Sequence, residues 1–313
     1  MSRRVTVVMY HYVRDLTHSR FSAIKGLSIE RFCRQLDYIQ THYTPISVER
    51  LIRAFSPFQE PLPPNPILLT FDDGYSDHFV NVFPVLDARG IQGCFFPPVQ
   101  SVQEHKVLDV NKIQFILAAA SDIGSLVDQV FSCVSEFRTE FQLETRDGYF
   151  LAIGEQHRYD TREVTVLKRL LQRELPEPVR AEIVRRLFAE HVTSDEASFA
   201  CELYMSAEQI ACLRRHGMHI GSHGTTHAWL NHLPPEAQAN EIDESLKFLQ
   251  TLGIRREEDW TMCYPYGGFN DSLLQVLRSR DCQLGFTAEP RLADLDADDR
   301  LTLPRIDTND LPS

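Results

Sequence analysis

The sequence predicts an α/β fold built on parallel strands, arranged as a sheet or a barrel. Two observations carry this. Helical segments that end in glycine are followed repeatedly by short apolar strands, and parallel strands need such a crossover between them. The residues able to do chemistry also fall at the C-terminal ends of those strands, where α/β folds place their sites.

In chain order, Val5-Thr6-Val7-Val8-Met9-Tyr10 reads as the first strand and Pro66-Ile67-Leu68-Leu69-Thr70-Phe71 as a buried second one. Ser76 to Arg89 reads as a helix ended by Gly90, ahead of the strand Ile91-Gln92-Gly93-Cys94-Phe95-Phe96. Ser206-Ala207-Glu208-Gln209 is a capping box whose helix ends at Gly217, before Met218-His219-Ile220-Gly221. A helix from Pro235 to Leu252 ends at Gly253, ahead of a strand from Thr261 to Tyr264. Asp271 to Arg280 reads as a further helix, before Gln283-Leu284-Gly285-Phe286-Thr287. From 106 to 203 the alternation breaks, and Val110 to Ala120, Ile123 to Phe137 and Val164 to His191 look helical and charged. The expectation is one domain over residues 1–313 with a mostly helical insertion at 106–203. That insertion would shape the substrate pocket or build a dimer contact, so a homo-oligomer is left open.

The bulk properties exclude some functions. The 313 residues are 43% hydrophobic, enough to bury a core, and the net charge of -12 argues against a nucleic-acid or anionic-membrane partner, which needs a basic footprint. Seven cysteines with no C-x-x-C pair argue against a disulfide framework or a cysteine zinc site, and read as free thiols in a reducing compartment. The apolar run after Arg4 is shorter than the ~7–15 residues of a signal peptide core, and no run approaches the ~18 of a membrane span. A cytoplasmic protein is therefore expected.

Three places carry chemistry. In Thr70-Phe71-Asp72-Asp73-Gly74-Tyr75 a buried strand runs into two carboxylates. Neighbouring strand residues face opposite ways, so both can serve one site only if the strand ends there, and Gly74 permits that turn. The helix that follows can take its cap from Ser76 or Asp77. In His223-Gly224-Thr225-Thr226-His227 two imidazoles at i and i+4 would share a helical face and chelate one divalent ion, with an aspartate as third ligand. Tyr264-Pro265-Tyr266-Gly267-Gly268 makes a tight loop able to aim backbone N–H groups at a developing oxyanion. His216 and His219 read as structural.

In order and strand context these three segments resemble the first three motifs of the polysaccharide deacetylase family, the NodB-homology group known as carbohydrate esterase family 4. The resemblance covers the chain from the first strand to Arg305, apart from the helical insertion. It implies a distorted (β/α) barrel and a divalent ion held by Asp73, His223 and His227: zinc first, with cobalt, nickel, manganese or iron as alternatives. It also implies Asp72 as general base and the backbone N–H of Tyr266 at the oxyanion. The implied activity removes an acetyl group from an N-acetylated carbohydrate, releasing acetate and a free amine. Cleavage of an O-acetyl ester or another non-peptide C–N bond, and non-catalytic sugar binding, are the alternatives.

The sequence departs from the family pattern twice. The third motif often opens with an arginine, two residues before the proline, that holds the catalytic aspartate; that place is Cys263 here. Arg305, in Leu303-Pro304-Arg305-Ile306-Asp307, is the expected substitute, steadied by Asp307. The family also takes its general acid from a late histidine, and no histidine follows His232. Tyr10-His11-Tyr12 resembles the N-terminal Tyr-His of the permuted branch that includes poly-N-acetylglucosamine deacetylases, so His11 is the expected acid.

Overall fold

The structure, a computed structural model, describes residues 3–56, 60–153, 160–255 and 260–312. It resolves into two compact units. The first comprises the chain up to Asp15, Gly26–Lys106 and the chain from Ala200 onward; the second comprises Leu16–Lys25 and Val107–Phe199.

The first unit is an α/β structure around parallel strands. β1 (Arg4–Tyr10) pairs with β2 (Pro66–Asp72), β2 with β3 (Gly93–Phe96), and β3 with β4 (His219–Ile220), all parallel. β5 (Thr261–Cys263) pairs with β6 (Leu284–Phe286), again parallel, and β7 (Ile306–Asp307) returns to β1. Single parallel bridges join the remaining gaps, Ser222 to Met262 and Phe286 to Leu303. The hydrogen bonding therefore runs round a distorted barrel that is thinnest at these two places. Gly221 marks the first of them, where a Cβ would stand 2.4 Å from the Phe96 ring and 2.6 Å from the Thr261 hydroxyl.

Helices make the crossovers that parallel pairing requires. Ile29–His42 lies between β1 and β2, Ala207–Arg215 precedes β4, Pro235–Thr251 joins β4 to β5, and Asp271–Ser279 joins β5 to β6. The capping box at Ser206 and Gln209 forms as its sequence indicates. Between β2 and β3 the helix begins with π-helical turns at His78–Val82 before Phe83–Ala88. Pro84 has no N–H to offer the first turn, and the N–H of Phe83 reaches back to His78 O.

The two faces of β2 face different cores. Leu68 packs with Val7, Cys94, Phe96, Cys263 and Phe286 inside the barrel, whereas Ile67, Leu69 and Phe71 pack with Phe32, Leu36 and Leu86 of the outer helices. All seven residues of β2 are buried, as a strand covered on both faces must be. Strand periodicity then places Thr70 and Asp72 on the interior face with Leu68. Tyr10 stands opposite Phe71 in the parallel register, so His11 leaves β1 level with Asp72.

Apart from Leu16–Lys25 and the turns between helices, the described residues of the second unit are helical, with Asp109–Ala119, Ile123–Phe141, Arg162–Arg169 and Glu177–His191 its main helices. The helix expected over Val164 to His191 is two, because Leu175 is extended ahead of Pro176. Its core includes Phe21, Phe115 and Phe199 packed edge to face, so Leu16–Lys25, which the sequence pattern did not attach to this unit, belongs to it. Among the described residues no helix is long and apolar enough to cross a membrane.

Candidate metal centre

Asp73 leaves the strand at φ 71° and Gly74 follows at 69°, two left-handed residues that turn the chain sharply. The turn is tight enough that a Cβ on Gly74 would meet Pro97 at 2.7 Å. It brings Asp73 Oδ1 to 3.4 Å from His223 Nε2 and 3.3 Å from His227 Nε2. All three side chains are buried, and Oδ1 has no hydrogen-bond partner of good geometry. Two donors each bound at ~2.0–2.1 Å to a tetrahedral ion would stand roughly 3.3–3.4 Å apart. A buried, orphaned carboxylate oxygen beside two imidazole nitrogens at that spacing fits a divalent cation.

The His223 tautomer agrees. Its Nδ1 lies 2.7 Å from the carbonyl oxygen of Cys263, which can only accept, so Nδ1–H donates and leaves Nε2 as the nitrogen that offers a lone pair to the site once it gives up its proton. Burial opposes ionisation of Asp73, but the two imidazoles outweigh it and hold its carboxyl well below the usual range. Burial likewise opposes protonation of His223, yet Cys263 and the Asp73 carboxylate raise its pKa well above the usual value; in His227 burial prevails and the pKa falls.

The two histidines do not share a helical face. Residues 223–227 form a loop, with Gly224 at φ 74° and His227 at φ 60°, and the imidazoles converge because the chain doubles back. Glu241 stitches that loop: its carboxylate accepts from Thr225 N, Thr226 N and the Thr226 hydroxyl, and its carbonyl accepts from the Thr225 hydroxyl. Helical i,i+4 spacing was the wrong physical picture of how these two imidazoles come together.

Asp72 points the other way, into the barrel, and meets Arg305. The guanidinium grips it with two bonds, Nη1 to Oδ1 at 2.9 Å and Nη2 to Oδ2 at 2.8 Å, both side chains being almost fully buried. Arg305 also donates to Thr287 O and to the Thr70 hydroxyl. Asp307 takes no part: its carboxylate accepts from the backbone and side chain of Asn309. The Cys263 thiol donates to Asp72 Oδ1 at 3.3 Å, so this cysteine touches the same carboxylate from the third motif. Burial raises the carboxyl pKa, but Arg305 and then His223 more than reverse it, leaving Asp72 at about 2. Asp72, His223 and Cys263 also lie within reach of one another, but the aspartate's oxygens are committed to Arg305 and the thiol.

Tyr266 sits at φ 57°, ψ 10°, a left-handed non-glycine residue in the loop after β5. Its ring lies 4.8 Å from His227 and stacks on Trp229 at 4.2 Å, with planes 4° apart. His11 is half-buried just past β1, and its carbonyl oxygen accepts from His78 Nε2 at 2.9 Å.

Sequence reasoning missed Tyr75, His78 and Glu241. Ser76 and Asp77, read as caps, do other work: Ser76 donates to Glu202 O and Asp77 pairs with Arg14. His216 and His219, read as structural, bond to Cys212 O and the Thr261 hydroxyl.

His78 is fully buried, and burial pushes its pKa down to about 4. The folded chain thus binds fewer protons than the unfolded chain between pH about 4 and the ordinary histidine value of ~6.5. Stability should fall as pH drops through that window, by on the order of 1–3 kcal/mol from this residue. His78→Gln, which keeps a donor for His11 O, should flatten that part of the slope of urea midpoint against pH. An unchanged slope would remove His78 as its source.

A family model described as polysaccharide deacetylase matches residues 59–128 and 187–285. The chain is 30% identical over 93 residues to YxkH of Bacillus subtilis (strain 168), named provisionally as a polysaccharide deacetylase; the match covers 30% of this chain and about a third (33%) of YxkH. Among solved structures it resembles the Streptococcus pyogenes deacetylase PplD in complex with acetate, at a TM-score of 0.59 and 16% identity, covering 98% of this chain and 93% of that one. It also resembles IcaB from Ammonifex degensii, at 0.57 and 18%, covering 97% and 91%. The BpsB deacetylase domain from Bordetella bronchiseptica matches at 0.56 and 16%, covering 97% and 95%. At such identities these three likenesses show a common fold.

Proposed function

The chain belongs to the polysaccharide deacetylase family, and from that premise we propose that it removes the acetyl group of an N-acetylated carbohydrate by metal-dependent hydrolysis, releasing acetate and a free amine. The observation that carries the reading is the orphaned Asp73 Oδ1 facing His223 and His227, with the Arg305-gripped Asp72 on the neighbouring residue.

Asp73, His223 and His227 would hold one divalent ion; two imidazoles and a carboxylate suit zinc first, with cobalt, nickel, manganese or iron able to substitute. When bound, the ion supplies polarisation of the acetyl carbonyl and acidification of a water.

The remaining work falls to the chain's own side chains. Asp72, with its pKa of about 2, is ionised throughout the neutral range and takes the proton of the attacking water. A carboxylate offers about four lone-pair sites; Arg305 uses two and the Cys263 thiol one, which leaves one for that proton. Arg305 also fixes the plane of the carboxylate. The backbone N–H of Tyr266 stabilises the oxyanion, and Trp229 packs the ring that fixes this strained loop. His11 gives its proton to the departing amine, and His78 holds the His11 backbone in place.

The deciding experiment is an acetate-release screen across N-acetyl sugars and their conjugates, with the protein stripped of metal and then reloaded. Acetate that appears only after reloading supports the reading; release of a different acyl product sinks it. His11→Ala should lower turnover of an amide substrate by about 10²–10⁴-fold, but that of an activated ester far less, because its leaving group needs no proton. Equal losses on both would take the acid role from His11.

A further inference from the structure

Tyr75 lies two residues beyond Asp73, fully buried, and its hydroxyl donates to Asp73 Oδ2. That bond makes the two carboxylate oxygens unequal: Oδ2 is engaged, while Oδ1 faces the two imidazoles without a partner. The phenol is held from several sides. Tyr12 stacks on its ring at 4.0 Å, and the hydroxyls of the two tyrosines are hydrogen-bonded. Tyr204 stacks at 6.0 Å, and its backbone bridges that of Tyr75. The next residue, Met205, donates its N–H to Gly74 O. Arg14 covers the Tyr12 ring at 4.5 Å while paired with Asp77. So much packing around one hydroxyl fixes where that hydroxyl points.

We propose that Tyr75 is a positioning residue that confines Asp73 to ligation through Oδ1 alone. A carboxylate free to rotate can chelate through both oxygens, filling a coordination position that the reaction needs open for the acyl oxygen or the water. The phenol forbids that rotation. The inference rests on the metal reading given under Proposed function.

Tyr75→Phe removes one oxygen and keeps the stacked ring. Titrated with zinc against a chromophoric chelator after stripping, the variant should bind roughly 10–100-fold more weakly than the wild type, the range that outer-shell partners of metal ligands command. With cobalt in place of zinc, its visible absorption should weaken as the second oxygen raises the coordination number. Tyr204→Phe, which trims a stacked neighbour without touching Asp73, should keep wild-type affinity. Wild-type affinity and cobalt spectrum in Tyr75→Phe would overturn the proposal, as would an equal loss in Tyr204→Phe, which marks mere packing. If Tyr75→Phe does not fold, Tyr12→Phe decides: it should weaken binding about 3-fold or more, in the direction outer-shell losses take, and unchanged affinity there overturns the proposal. A wild-type chain that binds no cation would sink this inference and the proposed function together; a wild type that binds normally beside an unaltered Tyr75→Phe would sink this inference alone.

Discussion

Asp72→Asn is expected to lower kcat by about 10³-fold or more while the chain still binds one cation. The amide matches the carboxylate in shape but cannot accept a proton, and general-base contributions typically run to ~10²–10⁴-fold. The substitution has a second, separable consequence. Arg305, 1% exposed, would keep its positive charge and lose its anionic partner. Breaking a buried pair from one side costs about 3–5 kcal/mol, because the remaining charge is left desolvated. Asp72→Asn should therefore also lower the Tm, and Asp72→Asn combined with Arg305→Met should recover much of that stability and none of the activity. Metal content by elemental analysis separates the roles of the two aspartates: loss of metal in Asp72→Asn with retention in Asp73→Asn would mean the assignments are reversed.

His227→Ala and Asp73→Asn should both abolish activity by losing the cation itself, with metal content falling from one ion per chain to near zero after desalting. The stability readout for Asp73→Asn should depend on loading. In the stripped wild type the ionised Asp73 carboxylate is favoured by the two imidazoles, and the asparagine loses that interaction. With ion at a thousandfold excess over Kd, the wild type gains about 4 kcal/mol and the variant gains nothing. The Tm gap between wild type and variant should therefore widen on loading. A gap that is the same in both states would mean that Asp73 serves the fold, with no cation involved.

Much of the architecture was legible because it is written in neighbouring residues. Apolar runs bounded by glycine gave the strands, the Ser206 capping box gave its helix start, and left-handed Gly90, Gly217 and Gly253 gave helix ends. The strands came out shorter than the apolar runs suggest. His219–Ile220 is only two residues long, because Gly221 lets the chain press between Phe96 and Thr261 and leave the ladder. Arg305 was expected from sequence to stand in for the third-motif arginine, and it pairs with Asp72. Its other partners were not foreseen: Thr70 and Thr287 support it, and Asp307, two residues on, caps the segment that follows. The i,i+4 histidines misled for a related reason: spacing states how many residues separate two side chains, whereas the backbone conformation between them decides whether they meet. Here two left-handed residues and the carboxylate of Glu241 supply that conformation.

By itself the sequence determined the α/β class, the order of strands and helices, and the two aspartates and two histidines that carry the candidate chemistry. Those features depend on local preferences and on period-two or period-3.6 patterning, which adjacent residues encode. Which aspartate faces the imidazoles and which faces an arginine 233 residues away was implied by the family resemblance and not by the local pattern, and only the tertiary structure decided that Tyr75 engages one oxygen of Asp73 while leaving the other open. Those facts depend on how the strand ring closes and on the turn at Asp73 and Gly74. Contacts between distant segments arise from packing the whole ring at once, and no single stretch of chain contains them.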